Sequence, residues 1–175
     1  MALIDIQHLS YTYDGQYDPV FEDVCLQLDT GWRLGFVGRN GRGKTTFLKL
    51  LAGELNAGGS IRTPVSFAYF PYPVERPGRR AAAILTEICP HAEEWRLLRE
   101  LSRLDVEEEA LSRPFATLSH GEQTKLLLAA LFCRDDPFLL IDEPTNHLDE
   151  RARAGIAAYL RSKNGFILVS HDRAF

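Results

Sequence analysis

Nine residues, Gly38 to Thr46 (GRNGRGKTT), constrain the fold of this 175-residue chain more than any others. They match the pattern GxxxxGK[ST], with Gly38 opening, Gly43 before Lys44 and Thr45 closing. Glycines reach backbone angles that side chains forbid, so successive N–H groups at Gly38, Asn40, Gly41 and Gly43 can turn inward around an anion. Lys44 adds a point charge suited to β- and γ-phosphates, and the Thr45 hydroxyl suits Mg²⁺. RLGFV before the loop reads as a short buried strand. TFLKLLAG after it reads as a helix whose Phe47, Leu48, Leu50 and Leu51 cover one side, ended by Gly53. A strand, a glycine loop and a helix whose positive dipole end meets the loop together predict nucleotide binding by Gly38–Thr46.

The rest of the chain reads as placing chemistry against that loop. ALIDI at 2–6 and VCLQLDT at 24–30 alternate apolar and polar residues, which predicts an antiparallel pair with one wet face. Between them the DG and DP pairs mark turns, putting Tyr11, Tyr13 and Tyr17 on or beside a loop. A flat aromatic there could stack on a base, and Tyr13 is the residue chosen for that role. PVSFAYF at 64–70 predicts another strand. Three prolines in PYPVERPGRR then halt regular structure, and the arginines at 76–80 read as a solvated turn. From 81 to about 111 the pattern turns helical: AAAILTEI, stopped near Pro90, then AEEWRLLRELSRL with an apolar side.

LSHGEQTKLLLAALF begins at Leu118, and Ser119 followed by Glu122 is a capping-box arrangement before a leucine-rich helix. Two functions fit the same residues: a helix start, or a second anion site at the N–H groups beside Gly121. In FLLIDEPTNHLD (138–149), four apolar residues predict a strand buried on both faces, after which charge appears at Asp142 and Glu143. Ligands of open α/β sheets sit beyond the carboxyl ends of strands, so a metal-binding acid and a catalytic acid belong there. Asp149 reads as the cap of the next helix. A last strand, FILVS, hands over to His171 and Asp172, so three strand ends should converge on one sheet edge, with His171 meeting phosphate.

A hydrophobic content of 45% over this length supports one domain with one sizeable core, residues 1–175, with a helical insertion at about 78–117. A net charge of −4 argues against a general polyanion-binding surface. Cys25, Cys89 and Cys133 are far apart and without metal-ligand spacing. They predict a reducing compartment, each cysteine an inert core residue. Apolar stretches fall short of a membrane span and no signal pattern opens the chain, so the expected location is the cytoplasm.

Taken in order, GRNGRGKTT, LSHGEQ, FLLIDEPTNHLD and VSHDRAF resemble ATP-binding cassette (ABC) proteins along the whole chain. EPTNHLD, GEQTKLLLAALF and SHDRAF resemble the F subfamily, whose members carry two cassettes in one polypeptide, lack transmembrane segments and mostly act on the ribosome. The resemblance implies an α/β P-loop NTPase with a mainly parallel core sheet, a small antiparallel part and a short helical insertion. It implies ATP and Mg²⁺ as ligands, the Walker A role for Gly38–Thr46, including Thr46, and the signature role for Ser119–Gln123. Walker B falls at Phe138–Asp142, with Asp142 and Thr45 serving the metal. Glu143 becomes the residue that polarises the attacking water, His171 the switch histidine, Asp149 the D-loop acid and Tyr13 the adenine-stacking residue.

The implied partners are a second cassette closing over ATP and, for the whole protein, the ribosome, in translation or in protection from antibiotics. Three departures accompany the likeness. Tyr72 stands where glutamine is usual, His120 where glycine is usual, and the chain stops at Phe175 where family members continue, so an amino-terminal cassette incomplete at its carboxyl end is expected. Two alternatives stay open: the nucleotide-binding subunit of a membrane transporter, which Tyr72 weakens, and a weakly hydrolysing ATP-dependent switch, which Tyr72 and His120 motivate. A lone incomplete cassette is expected to be a weak ATPase.

Overall fold

The computed structural model describes residues 2–39, 41–135 and 137–171. Strands β1 (Leu3–Tyr11), β2 (Phe21–Asp29) and β4 (Gly58–Arg62) form an antiparallel sheet in the order β2-β1-β4. Strands β3 (Arg33–Val37), β5 (Ser66–Phe70), β6 (Pro137–Asp142) and β7 (Phe166–Ser170) form a parallel sheet in the order β3-β7-β6-β5. The α/β class with a parallel core and a smaller antiparallel part is therefore as the sequence predicts.

Period-two alternation in the parallel strands divides the interior into two cores. Phe138, Leu140, Ile167 and Val169 point to one face, where they meet Phe47, Leu48, Leu50 and Leu51 of α1 (Lys44–Ala52) and Ile4, Ile6 and Leu9 of β1. Leu139, Ile141, Phe166 and Leu168 point to the other, against α2 (Ala81–Ile88), α5 (His120–Cys133) and α6 (Glu150–Arg161). Helix α1 is thus held between the two sheets. Burial of one such Leu or Ile side chain contributes about 1.5–3 kcal/mol, so β6, buried on both faces, anchors the molecule.

Between β5 and α5 the chain forms α2, α3 (Glu94–Arg103), α4 (Glu109–Ser112) and a 3₁₀ turn at Phe115–Thr117. Buried Leu101, Leu104, Ala110 and Phe115 join the same core as α5 and the sheet. Glu100, 3% exposed, accepts from the Tyr159 hydroxyl at 2.9 Å, from Arg103 at 3.2 Å and from the Lys163 ammonium, tying α3 to α6. Burial alone would raise its carboxyl, but the Lys163 and Tyr159 hydrogen bonds outweigh it and hold the group below the usual range.

Two sequence expectations change. No strand is assigned from sequence between Gly53 and PVSFAYF, yet β4 forms there, paired to β1 with Gly59 (φ 90°) against the Gln7 and His8 carbonyls where any Cβ would collide. A double glycine lowers strand propensity, and only tertiary pairing with β1 reveals its role. Cys89 and Cys133 are buried as expected, whereas Cys25 is exposed on β2. Among the described residues no helix is long and apolar enough to cross a membrane.

Candidate functional site

Because β3, β7 and β6 are parallel neighbours, their carboxyl ends deliver the loop after Val37, His171 and Glu143 to one sheet edge. There a cavity of about 540 Å³ is lined by Tyr13, Gln16, Val20, Gly41, Gly43, Lys44, Thr45, Thr46, Glu143, Asn146, Val169 and His171. Gly43, with φ 82°, is the N-cap of α1 and brings no side-chain cap to it. The first N–H groups of the helix therefore lack intrahelical partners and suit an anion. A Cβ on Gly43 would lie 2.6 Å from Val20 Cγ1 and 3.1 Å from Phe21 Cζ, so the loop tolerates no larger residue without displacement.

Lys44 is only 7% exposed, and its ammonium donates to the Gly38 carbonyl at 2.7 Å and the Arg39 carbonyl at 3.1 Å. Gly38 thus meets the site through its backbone. Tyr13 reaches the loop from the opposite wall, its hydroxyl 2.8 Å from Thr46 Oγ1, while Tyr11 packs edge-on against its ring at 5.0 Å. Asn40, also expected to bind, lies outside the described residues.

Glu143 follows the last residue of β6 in the left-handed region (φ 48°), a conformation that side chains disfavour. Its N–H donates to the Val169 carbonyl at 2.9 Å, which fixes the turn against β7. The carboxylate lies 2.8 Å from His171 Nδ1 and accepts from the His171 N–H at 3.3 Å. Asp142 Oδ2 accepts from the Tyr69 hydroxyl at 2.9 Å; burial first, and this bond second, push the Tyr69 hydroxyl well above its ordinary range. Asp142 Oδ1 is buried and lacks a hydrogen-bond partner among the described residues. Asp142 does not line the cavity that Thr45 lines, but a buried carboxylate oxygen left without a partner is a donor of the kind a hard divalent cation prefers.

Two further residues sit elsewhere. Ser119 and Gly121 open α5 and line a separate cavity of about 640 Å³ with His120, Glu122, Lys125, His147 and Asp149, sharing no lining residue with the first. The capping box is formed: Ser119 Oγ accepts from the Glu122 N–H at 3.2 Å, and the Ser119 N–H donates to Glu122 Oε2 at 2.7 Å. Those bonds hold the Glu122 carboxyl below its usual range. Asp149 caps α6, accepting from the Ala152 N–H at 2.7 Å. Tyr72 packs against the larger core and lines a third hollow with Glu75, Arg76 and Arg79, away from the loop.

Gln16, Val20 and Asn146 line the nucleotide-sized cavity without having been singled out from sequence. Asn146 is within EPTNHLD and could have been found there; Gln16 and Val20 carry no local signal and are placed by the β1–β2 connection alone. Tyr69 was legible only as a strand residue, since its link to Asp142 spans 73 positions.

The ABC transporter family model matches residues 21–146. The chain belongs to that family. As an ATP-binding cassette it is related to the F sub-family. It is 34% identical over 172 residues to human ATP-binding cassette sub-family F member 3, covering 93% of this chain and 24% of that protein. It is 33% identical over 161 residues to the probable ATP-binding protein YheS of Escherichia coli K12, covering 88% of this chain and 25% of that protein. The chain thus spans about a quarter of the length of these curated relatives. Its fold matches a putative ABC transporter ATP-binding protein from Pyrococcus furiosus (TM-score 0.82, 21% identity, 98% of this chain and 92% of that one). It also matches a bacterial Atm1-family ABC exporter with ATP bound (TM-score 0.79, 16% identity, 99% and 35%).

Proposed function

We propose that the cassette binds ATP with Mg²⁺ in the cavity above Gly38–Thr46 and hydrolyses it when a second cassette closes over it, in an F-subfamily protein acting on the ribosome. The observation that carries the proposal is the meeting of Lys44, Thr45, Glu143 and His171 on one cavity from three separate chain segments. Thr45 and Asp142 would hold the cation, which would supply charge neutralisation on the phosphate oxygens. Lys44 exchanges its loop carbonyls for phosphate oxygens, Tyr13 offers its ring to the adenine, and the α1 amides face the phosphates.

Glu143 orients a water and takes its proton as the water oxygen bonds to the γ-phosphorus and the bond to the β-phosphate oxygen breaks, giving ADP and phosphate. His171, already within hydrogen-bond distance of Glu143, fixes the orientation of that carboxylate. Ser119 and Gly121, on the other cavity, serve the facing cassette's ATP, so two half-sites are needed and a single copy turns over slowly. ATP is then both substrate and glue, shifting an open pair toward a closed one.

The test is co-sedimentation of the protein carrying this cassette with ribosomes. ATP is expected to promote association, and Glu143→Gln to hold it by stopping hydrolysis. Association indifferent to both would overturn the ribosomal part of the proposal, and a membrane protein recovered instead would point to a transporter subunit. The position of Tyr72 away from the cavity favours a second reading, an ATP-driven switch that hydrolyses slowly. Turnover by the paired protein of about 1 per second or faster would remove it.

A further inference from the structure

Outside the nucleotide cavity, a third chemistry-bearing cluster forms where β1 and β2 fall out of register. Pairing runs Ile6↔Leu26, resumes at Leu9↔Val24 and shifts again before Tyr11↔Phe21; the first irregularity carries His8 (φ 54°) with Cys25 on the partner strand, and the second carries Asp23 (φ 49°). The two irregularities bring His8, Asp23 and Cys25 together, with one ligand atom from each within 4.8 Å of the others. His8 Nδ1 is 2.6 Å from Asp23 Oδ1, and the His8 N–H donates to Cys25 Sγ at 3.3 Å. Asp23 is steadied by its own N–H donating to Ser10 Oγ at 2.9 Å. The His8 and Asp23 side chains are each 72% exposed, so an ion has free access.

We propose that His8, Asp23 and Cys25 form a binding site for a zinc-class divalent transition metal. The donor set decides the class: imidazole nitrogen and thiolate sulfur select Zn²⁺ and its neighbours, whereas Mg²⁺ and Ca²⁺ seek oxygen cages. Three protein ligands with water in the fourth position complete a tetrahedron. With metal–nitrogen and metal–oxygen bonds of about 2 Å, tetrahedral ligands stand about 3.3 Å apart. The His8–Asp23 pair therefore opens by less than an ångström, which rotation of two exposed side chains supplies. On binding, the Cys25 S–H bond breaks, its proton leaves to solvent, and the sulfur lone pair bonds the metal with no change of oxidation state.

Occupancy would clip β1 to β2 just before the connection that carries Tyr13, without touching the nucleotide cavity, whose lining includes none of the three residues. The site depends on nothing assumed about ATP. The exposed position of Cys25 is what makes it available, since Cys89 and Cys133 are buried in the other core.

Titration of the nucleotide-free 175-residue chain with Co²⁺, kept reduced by a phosphine, reads the proposal directly. A thiolate-to-cobalt charge-transfer band in the near ultraviolet is expected to saturate at one ion per chain, to bleach on adding Zn²⁺ and to ignore excess Mg²⁺. Cys25→Ser should abolish the band and Cys89→Ser should leave it; His8→Gln and Asp23→Asn should each weaken binding at least about tenfold. No band up to millimolar Co²⁺, or a band that survives Cys25→Ser, overturns the site. Circular dichroism of the variants separates lost ligation from lost folding, and a well-folded His8→Gln with unchanged affinity would also overturn it.

Discussion

The amino ends of α1 and α5 share a sequence logic but not a state. Both begin with small or polar residues beside glycine, and both aim a helix dipole into a cavity of several hundred cubic ångströms. At α1 the cap is Gly43 with no side chain, so the first-turn amides wait for an outside anion. At α5 the anion is internal. Glu122 folds back to accept from the Ser119 N–H and, at 2.8 Å, from the Ser119 hydroxyl, with Arg113 3.6 Å away on its other oxygen. Within a single chain, a dipole alone therefore does not make a phosphate site; what matters there is whether the chain has already supplied the negative charge.

The strongest way to break that contrast is to close the open end. Gly43→Ala forces a side chain at φ 82° into Val20 and Phe21, and nucleotide affinity of the chain, followed by fluorescent-ATP titration, should fall by about 100-fold or more. Lys44→Met removes a charge-assisted donor worth about 1.5–3 kcal/mol, and the same titration should show a loss of about 10- to 150-fold. Tyr13→Ala should cost about 1–3 kcal/mol of ATP binding if the ring stacks on adenine, while Tyr13→Phe, which deletes only the bond to Thr46, should cost about 1 kcal/mol or less.

The closed end predicts the opposite signature. Ser119→Ala should lower stability by about 0.5–2 kcal/mol in denaturant melts yet leave the single chain's ATP affinity unchanged, since Ser119 lines the other cavity. Acid sharpens the point with the smallest effect. The Glu122 carboxyl is depressed in the folded chain, so its contribution is present above the unfolded pKa and lost as pH falls through the lower folded one. Wild type should therefore lose its advantage over Glu122→Gln only at acid pH below the usual carboxylate range, measured as converging melting temperatures. An advantage that persists there would show that the carboxylate is not what closes the helix end.

Much of this was legible without coordinates wherever local chemistry and position agreed. The loop at Gly38–Thr46, the Ser119–Glu122 cap, the Asp149 cap and the β6 run each state their role within a dozen residues, and the structure builds the elements they announce. What escaped was set by partners distant in sequence. The β4 strand is hidden by the Gly58–Gly59 pair and exists through β1; Cys25 reads as core by type but lies on the wet face of β2; Gln16 and Tyr69 acquire meaning only from residues across the fold.

The ammonium of Lys44, seated on two carbonyls of its own loop, has a consequence for how the cradle meets its guest. Most of the dehydration of that charge is accomplished during folding, so an arriving triphosphate trades one set of oxygens for another instead of stripping a hydrated ion. Recognition begins from a socket already wired shut on itself, and a weakly charged anion, unable to outbid those carbonyls, gains little by entering.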